Sequence, residues 1–98
     1  MIIHTVVFAL IHPNHSEEEA DFLRSARDTL SRIPGVENFR ILRQVSPASD
    51  FQYMFSMEFV DPSAYQDYNL HPDHVSFVAS RWKPEVARFQ ELDFEPLD

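Results

Sequence analysis

In the segment Phe51–Val60, aromatic or Met side chains alternate with side chains that are mostly polar. This pattern constrains the fold more than any other in the chain. Every second residue is aromatic or Met, whereas the residues between them include Gln52, Ser56 and Glu58. A period of two is typical of a β-strand with one face in a core. The apolar face of this predicted strand consists of Phe51, Tyr53, Phe55, Met57 and Phe59. We therefore expect a sheet whose helices pack against this face.

Three elements are predicted before this strand: a strand, a helix and a second strand. Ile2–Ile11 is rich in Val and Ile, which indicates a mostly buried strand. Ser16 and Glu19 have the spacing of a capping box, so a helix begins at Ser16 and runs to Ile33 on apolar residues at helical spacing. Pro34-Gly35 ends it, with Gly35 in the left-handed conformation just past the helix. Val36–Val45 then predicts a second strand.

The chain after the alternating strand predicts a broken helix and a last strand. Asp61 is an N-cap followed by a proline, so a helix begins there. Pro72 interrupts this helix, and an apolar stripe with i, i+3, i+4, i+7 spacing follows it. The stripe consists of Val75, Val78, Ala79 and Trp82. Val86–Phe94 predicts the final strand.

The order of these elements is strand, helix, strand, strand, helix, strand. This order predicts an α+β, ferredoxin-like βαββαβ fold, with a four-stranded antiparallel sheet and both helices on one face. A chain of 98 residues has the size of one domain, so we expect residues 1–98 to form a single domain.

The sheet face turned away from the helices is half apolar. Met54 and Val60 lie on it beside Ser56 and Glu58, and neither face of the first strand is polar. A solvated sheet face is mostly polar, so we expect a second, identical chain to cover this one. A monomer with a mildly apolar exposed face is the alternative.

Composition excludes several classes of partner. The net charge of −8 opposes nucleic acid and anionic membranes, and no apolar run is long enough to span a bilayer. The chain has no Cys, which removes disulfides and thiolate chemistry. Its first residues lack the basic region of a signal peptide, so we expect a cytoplasmic protein.

Two histidines near the helix break are candidates for chemistry. His71 falls at the cap of a helical turn opened by Pro72, where capping is its more ordinary role. His74 lies in the first turn, where the helix dipole lowers an imidazole pKa and favours the neutral ring that a general base requires. The two rings with Asp73 do not form a metal site, because no third ligand is placed by spacing. We expect no metal and no cofactor.

Other candidate residues have both a structural and a functional interpretation. His4 lies inside an apolar strand, either as a hydrogen-bonded core residue or as a base in a pocket. Tyr65 and Tyr68 precede the helix break and either pack at its edge or orient a carbonyl oxygen. Phe77 is a packing residue or the wall of a ligand pocket.

Four segments of the chain resemble the stress-responsive A/B barrel (Dabb) family. The fairly specific one is Y-x-x-H-P-x-H-x-x-F, from Tyr68 to Phe77. The others are His4 after two Ile, the I-P-G-V sequence from Ile33 to Val36, and the closing strand Leu92–Glu95. The resemblance covers nearly the whole chain and implies two chains that pair their sheets into a dimeric α+β barrel.

The resemblance also implies a candidate activity. A few members of the family are polyketide cyclases that act without a cofactor in a pocket between sheet and helices. In those, the residue matching His74 is the general base, the residue matching Tyr68 assists it, and the residue matching His4 lines the pocket. A further pocket Tyr on the first helix has no counterpart here, because Ser16–Ile33 contains no Tyr.

Three functions follow from these observations. The first is a homodimer with a small apolar pocket for a small apolar or aromatic ligand, in which His4, Tyr65, His71 and Phe77 contact the ligand. The second is a cofactor-free cyclase or aldol-type enzyme in which His74 and Tyr68 are catalytic. The third is a monooxygenase-like relative on the same barrel. The sequence leaves open whether the protein is an enzyme.

Overall fold

The computed structural model describes residues 1–98 and contains one sheet with its helices on one side. The strands are β1 (Ile2–Leu10), β2 (Glu37–Arg43), β3 (Tyr53–Phe59) and β4 (Val86–Phe94). The helices are α1 (Glu17–Leu30), α2 (Pro62–Leu70), α3 (Pro72–Phe77) and, after a π-helical segment at Val78–Trp82, the single turn α4 (Lys83–Glu85). The strand order is β2-β3-β1-β4 with every pair antiparallel, which confirms the predicted ferredoxin-like arrangement.

The register of the two central strands decides which side chains face the helices. His4 lies opposite Met57 and Phe8 lies opposite Tyr53, so the even-numbered residues of β1 share a face with the odd-numbered residues of β3. The predicted apolar face of β3 is confirmed, because none of its four residues within the strand exceeds 3% exposure. These residues are Tyr53, Phe55, Met57 and Phe59.

The core forms where α1 and the aromatic residues of the sheet meet. Phe22 of α1 is fully buried, and its ring centroid lies 6.1 Å from that of Phe8 and 6.5 Å from that of Phe55. Tyr68 of α2 and Phe77 of α3 complete the same buried cluster. One layer of helices therefore covers one face of the sheet.

Local signals place the start of α1 correctly and its end two to three residues too late. The Ser16 hydroxyl accepts the Glu19 backbone N–H, as a capping residue does, while the Glu19 carboxylate accepts the His15 N–H. The helix ends at Leu30, and a turn at Ile33–Val36 follows. Pro34 and Gly35 occupy the centre of this turn, and Gly35 has φ 91°, which is the type II pattern rather than a helix cap.

The predicted apolar stripe after Pro72 is wrong for two of its four residues, because Val75 and Ala79 are exposed while Val78 and Trp82 are half-buried. Val75 is 54% exposed, whereas Phe77 is 4% exposed and faces the core. Val75 lies in α3 on the side opposite the core, and Phe77 takes the buried position instead. After Phe77 the helix changes its winding, since the Lys83 N–H bonds the carbonyl of Val78, five residues earlier instead of four.

No element of the chain covers the other face of the sheet. Leu92 and Phe94 of β4 are 41% and 52% exposed, and they lie opposite Thr5 and Ile3 in the register of β1 and β4. Met54 of β3 is half-buried on the same face. None of the helices has the length and apolar character needed to cross a membrane.

Candidate functional site

A cavity of about 280 Å³ lies between the helix-covered face of the sheet and the broken helix. Its polar lining residues are His4, Tyr68, Asn69, His74, Lys83 and Glu91. The rest of the lining is apolar and consists of Val6, Leu30, Phe55, Met57, Phe77, Val78, Trp82 and Phe89. An apolar concavity with a few polar groups that converge on it is the usual form of a small-molecule site.

The break between α2 and α3 places Tyr68 and His74 next to each other. Pro72 has no N–H and cannot continue the hydrogen-bond ladder of α2, so the chain turns at His71 with an extended backbone. The His71 ring then accepts the Asp73 backbone N–H through Nδ1 at 3.1 Å and caps α3. Across this break the ring centroids of Tyr68 and His74 lie 4.5 Å apart.

The same break fixes the protonation pattern of the His74 ring. In an unbroken helix the Asn69 carbonyl would accept the N–H of Asp73, which is bonded to His71 instead. The free carbonyl lies 3.1 Å from His74 Nδ1. Because a carbonyl only accepts, Nδ1 carries the proton, and in the neutral ring Nε2 keeps its lone pair. No group of the chain hydrogen-bonds Nε2.

Burial lowers the pKa of His74 below its ordinary value of 6.5, and the positive charge that His4 can carry lowers it further. The Asn69 carbonyl and the Glu91 carboxylate act in the opposite direction but do not offset the burial. The pKa of His74 is thus lowered, the direction expected from the sequence, although burial rather than the helix dipole is the main cause, and the neutral ring is favoured at pH 7.

Tyr68 contributes a hydroxyl that has no hydrogen-bond partner in the chain. The residue as a whole is 2% exposed, but the hydroxyl oxygen is not enclosed by protein and faces the cavity. Burial raises the pKa of Tyr68, and the nearby Glu91 carboxylate raises it further, so the hydroxyl keeps its proton. Tyr68 can therefore donate a hydrogen bond to a molecule in the cavity.

His4 forms a three-part cluster with Asp93 and Tyr65 at one end of the cavity. His4 Nδ1 donates to Asp93 Oδ1 at 2.6 Å, and the Tyr65 hydroxyl donates to Asp93 Oδ2 at 2.8 Å. The Tyr65 hydroxyl also lies 2.8 Å from His4 Nδ1. Burial raises the pKa of Tyr65, as does its bond to Asp93. The carboxylate thus holds the His4 proton on Nδ1 and leaves Nε2 free.

The structure brings four of the six predicted site residues to the cavity. His4, Tyr68, His74 and Phe77 line it. The other two do not: the His71 ring caps α3, and the Tyr65 hydroxyl binds Asp93 beside His4. Both therefore act on the site through a neighbouring residue.

No motif in the sequence identifies several of the residues at the cavity as site residues. Glu91 and Asp93 lie on the helix-facing side of β4 because they pair with Val6 and His4. Their alternation with Gln90 and Leu92 indicates a strand, but only the pairing of β4 with β1 shows which of them face the cavity. Lys83 also lines the cavity, at the start of α4.

His12 follows β1 and is largely buried against Glu85. Its ring is 16% exposed and lies 2.7 Å from Glu85 Oε1. Arg81 bridges Glu85 and Asp21, which ties the end of the π-helical segment to α1. Arg81 and His12 lower the pKa of Glu85 by hydrogen bonds to its carboxylate.

No group of three or more acidic, His or Cys side chains in the chain is arranged so that it could bind a metal ion.

The comparisons with known proteins agree with the fold. The model of the stress responsive A/B barrel domain family matches residues 2–96. A search of curated protein sequences found no significant match. A crystal structure of a Dabb family protein with a ferredoxin-like fold from Mesorhizobium loti is 56% identical, with a TM-score of 0.98 over 99% of this chain and 97% of that one.

Two more distant structures share the fold alone. A dimeric ferredoxin-like protein of unknown function from Thermobifida fusca is 17% identical, with a TM-score of 0.80 over 97% of this chain and 90% of that one. SnoaB, a cofactor-independent oxygenase from Streptomyces nogalater, is 20% identical, with a TM-score of 0.72 over 99% of this chain and 93% of that one.

The burial of His74 predicts its titration. We expect the Cε1–H resonance of His74, assigned with a His74→Gln variant, to titrate below 6.5 in the folded protein and near 6.5 in urea. As the pH falls, the unfolded chain takes up this proton first, so the stability contributed by neutral His74 is present above 6.5 and is lost as the pH falls through the folded pKa. A folded midpoint at or above the urea value contradicts the burial argument.

Proposed function

This chain belongs to the stress-responsive A/B barrel (Dabb) family, and we propose that it acts as a single-domain homodimer that binds a small, largely apolar organic molecule in the cavity of each chain. The observation that carries the proposal is a pair of polar groups without a partner in the chain, the Tyr68 hydroxyl and His74 Nε2, in a mostly apolar cavity. Because protein does not enclose either atom, each can hydrogen-bond a molecule in the cavity, and a few convergent polar groups in an apolar concavity are typical of a ligand site.

The chemistry of this pair defines the ligand. Tyr68 is a protonated donor and His74 Nε2 is an acceptor, and their rings are in contact at 4.5 Å. An oxygen that both accepts and donates, such as the hydroxyl of an enol or a phenol, satisfies both groups at once. The aromatic and aliphatic lining suits the remainder of such a molecule. A net charge of −8 per chain opposes nucleic acid as a partner.

Phenols mimic enols and test the proposal directly. We expect 4-methylphenol to bind the protein and to change the fluorescence of Trp82, which lines the cavity and is the only Trp. Because each variant removes one hydrogen bond to the ligand in a mostly apolar cavity, we expect His74→Ala and Tyr68→Phe each to weaken binding about tenfold, as measured by titration calorimetry. Val75→Ala, on the exposed side of α3, is the control. Equal affinity in all four proteins contradicts this use of the cavity.

Proton abstraction next to a carbonyl is the second candidate function. His74 favours it, because a neutral imidazole with Nδ1 fixed and Nε2 free has the form of a general base. Tyr68 is placed beside it to donate to the oxygen that becomes negative as the proton leaves. The base acts with no cofactor. The cofactor-independent oxygenase of similar fold supports this only at the level of fold.

Deuterium uptake tests the second candidate. In D₂O, 2-indanone exchanges its protons next to the carbonyl, and we expect the protein to accelerate this exchange, as followed by proton NMR. His74→Ala should slow the catalysed exchange about a hundredfold, the usual contribution of a general base. Because only the neutral ring abstracts a proton, the rate should be level above pH 6.5 and fall as the pH decreases through the lowered pKa of His74. Undiminished exchange in His74→Ala removes the mechanism.

The uncovered face of the sheet supports the homodimer. Leu92 and Phe94 are exposed on it, and half-buried Ile3, Val7 and Met54 extend the apolar area across three strands. Exposed apolar side chains gathered on one sheet face are typical of a surface that another chain covers. The similar protein from Thermobifida fusca is described as dimeric. Two identical sheets face to face give the barrel implied by the family resemblance.

A charge on this face tests the dimer. We expect the wild-type protein to elute with the mass of two chains in size-exclusion chromatography with light scattering. Leu92→Glu places a charge at the interface without disturbing the core, since Leu92 is 41% exposed, and should shift the protein to the mass of one chain. Val75→Glu, on the opposite layer, is the matched control and should leave the dimer intact. A monomeric wild type, or a dimeric Leu92→Glu, contradicts the proposed interface.

A further inference from the structure

The π-helical segment Val78–Trp82 is the one irregular helix in the fold, and it forms part of the cavity wall. Its bond from the Lys83 N–H to the Val78 carbonyl spans five residues. Such segments are rare and are mostly single turns, frequently at functional sites. This winding changes the direction in which the Trp82 side chain points.

The wider winding turns Trp82 toward the sheet. In an α-helix, residues five apart point about 140° away from each other, so Phe77 and Trp82 would face different sides. In this structure both rings pack on Phe22, with ring centroids 5.7 and 6.3 Å from it. The π-helical turn therefore places Trp82 on the cavity side of the helix.

Trp82 lies at the opposite end of the cavity from His4 and Tyr68. His4, beside Tyr68, and Phe8 share one face of β1 four residues apart, which corresponds to about 13 Å along a strand. The Trp82 ring centroid lies 5.1 Å from that of Phe8 and 5.5 Å from that of Phe89, which meets it edge-on. The cavity therefore runs along β1 from His4 to a wall formed by the indole.

We propose that Trp82 determines the length of the ligand, so that the cavity accepts compact enol-forming or phenolic molecules and excludes those with long apolar tails. When Tyr68 and His74 bind the oxygen of a ligand, the rest of the ligand extends past Val6 along the cavity. Its far end then contacts the Trp82 indole, which blocks further extension. The proposal rests on the ligand-binding function proposed above. It makes Trp82 a specificity-determining residue rather than only part of the core.

A series of 4-alkylphenols tests this role. Titration calorimetry gives the affinity of 4-methyl-, 4-ethyl-, 4-butyl- and 4-hexylphenol for the wild type and for Trp82→Ala, Trp82→Phe and Val75→Ala. We expect wild-type affinity to fall by at least tenfold between ethyl and hexyl. In Trp82→Ala affinity should rise with chain length instead, by about fourfold for each further methylene that becomes buried. Trp82→Phe should be intermediate, and Val75→Ala should match the wild type.

The outcomes separate this proposal from the one it rests on. If the wild type binds 4-methylphenol and every variant keeps the wild-type length profile, Trp82 does not set ligand length, while the binding function stands. If no protein binds any phenol, the binding function is contradicted and the role of Trp82 with it. Trp82→Phe keeps an aromatic ring in the core, so it provides the comparison if Trp82→Ala does not fold, as judged by circular dichroism.

Discussion

The site depends on one interrupted hydrogen-bond ladder, at Pro72. Because proline has no N–H, the helix cannot pass through it, and the carbonyls before it lose their usual partners. The His71 ring takes the Asp73 N–H, and the Asn69 carbonyl is left to bond His74. A continuous helix would satisfy that carbonyl with backbone, and neither the tautomer of His74 nor its contact with Tyr68 would be fixed.

The sheet supplies the other half of the site. β1 is central, so its helix-facing side chains meet those of β3 and β4 on either side. This arrangement places Asp93 against His4 at one end and Phe89 against Phe8 at the other. The register thus places the sheet residues of the cavity, and the broken helix adds Tyr68 and His74 near His4 and Trp82 near Phe8.

Much of the architecture was predictable because its signals are local. The alternation from Tyr53 to Phe59, the Ser16 cap and the Asp61–Pro62 start of α2 are each set by neighbouring residues, and the structure agrees with all three. The apolar stripe after Pro72 was predictable only in part: the spacing placed Val75 inside, where the structure has Phe77, and a π-helical turn has no distinctive residue pattern.

By itself, the sequence determined the strands, the helices, the break at Pro72 and the residue types available for chemistry, since each depends on residues within a few positions. Tertiary structure alone decided that Asp93 meets His4, 89 residues away, and that Trp82 faces the cavity. It also decided that the Tyr68 hydroxyl faces the cavity without a partner in the chain. The physical reason is that strand register and helix packing bring together groups that no local pattern relates.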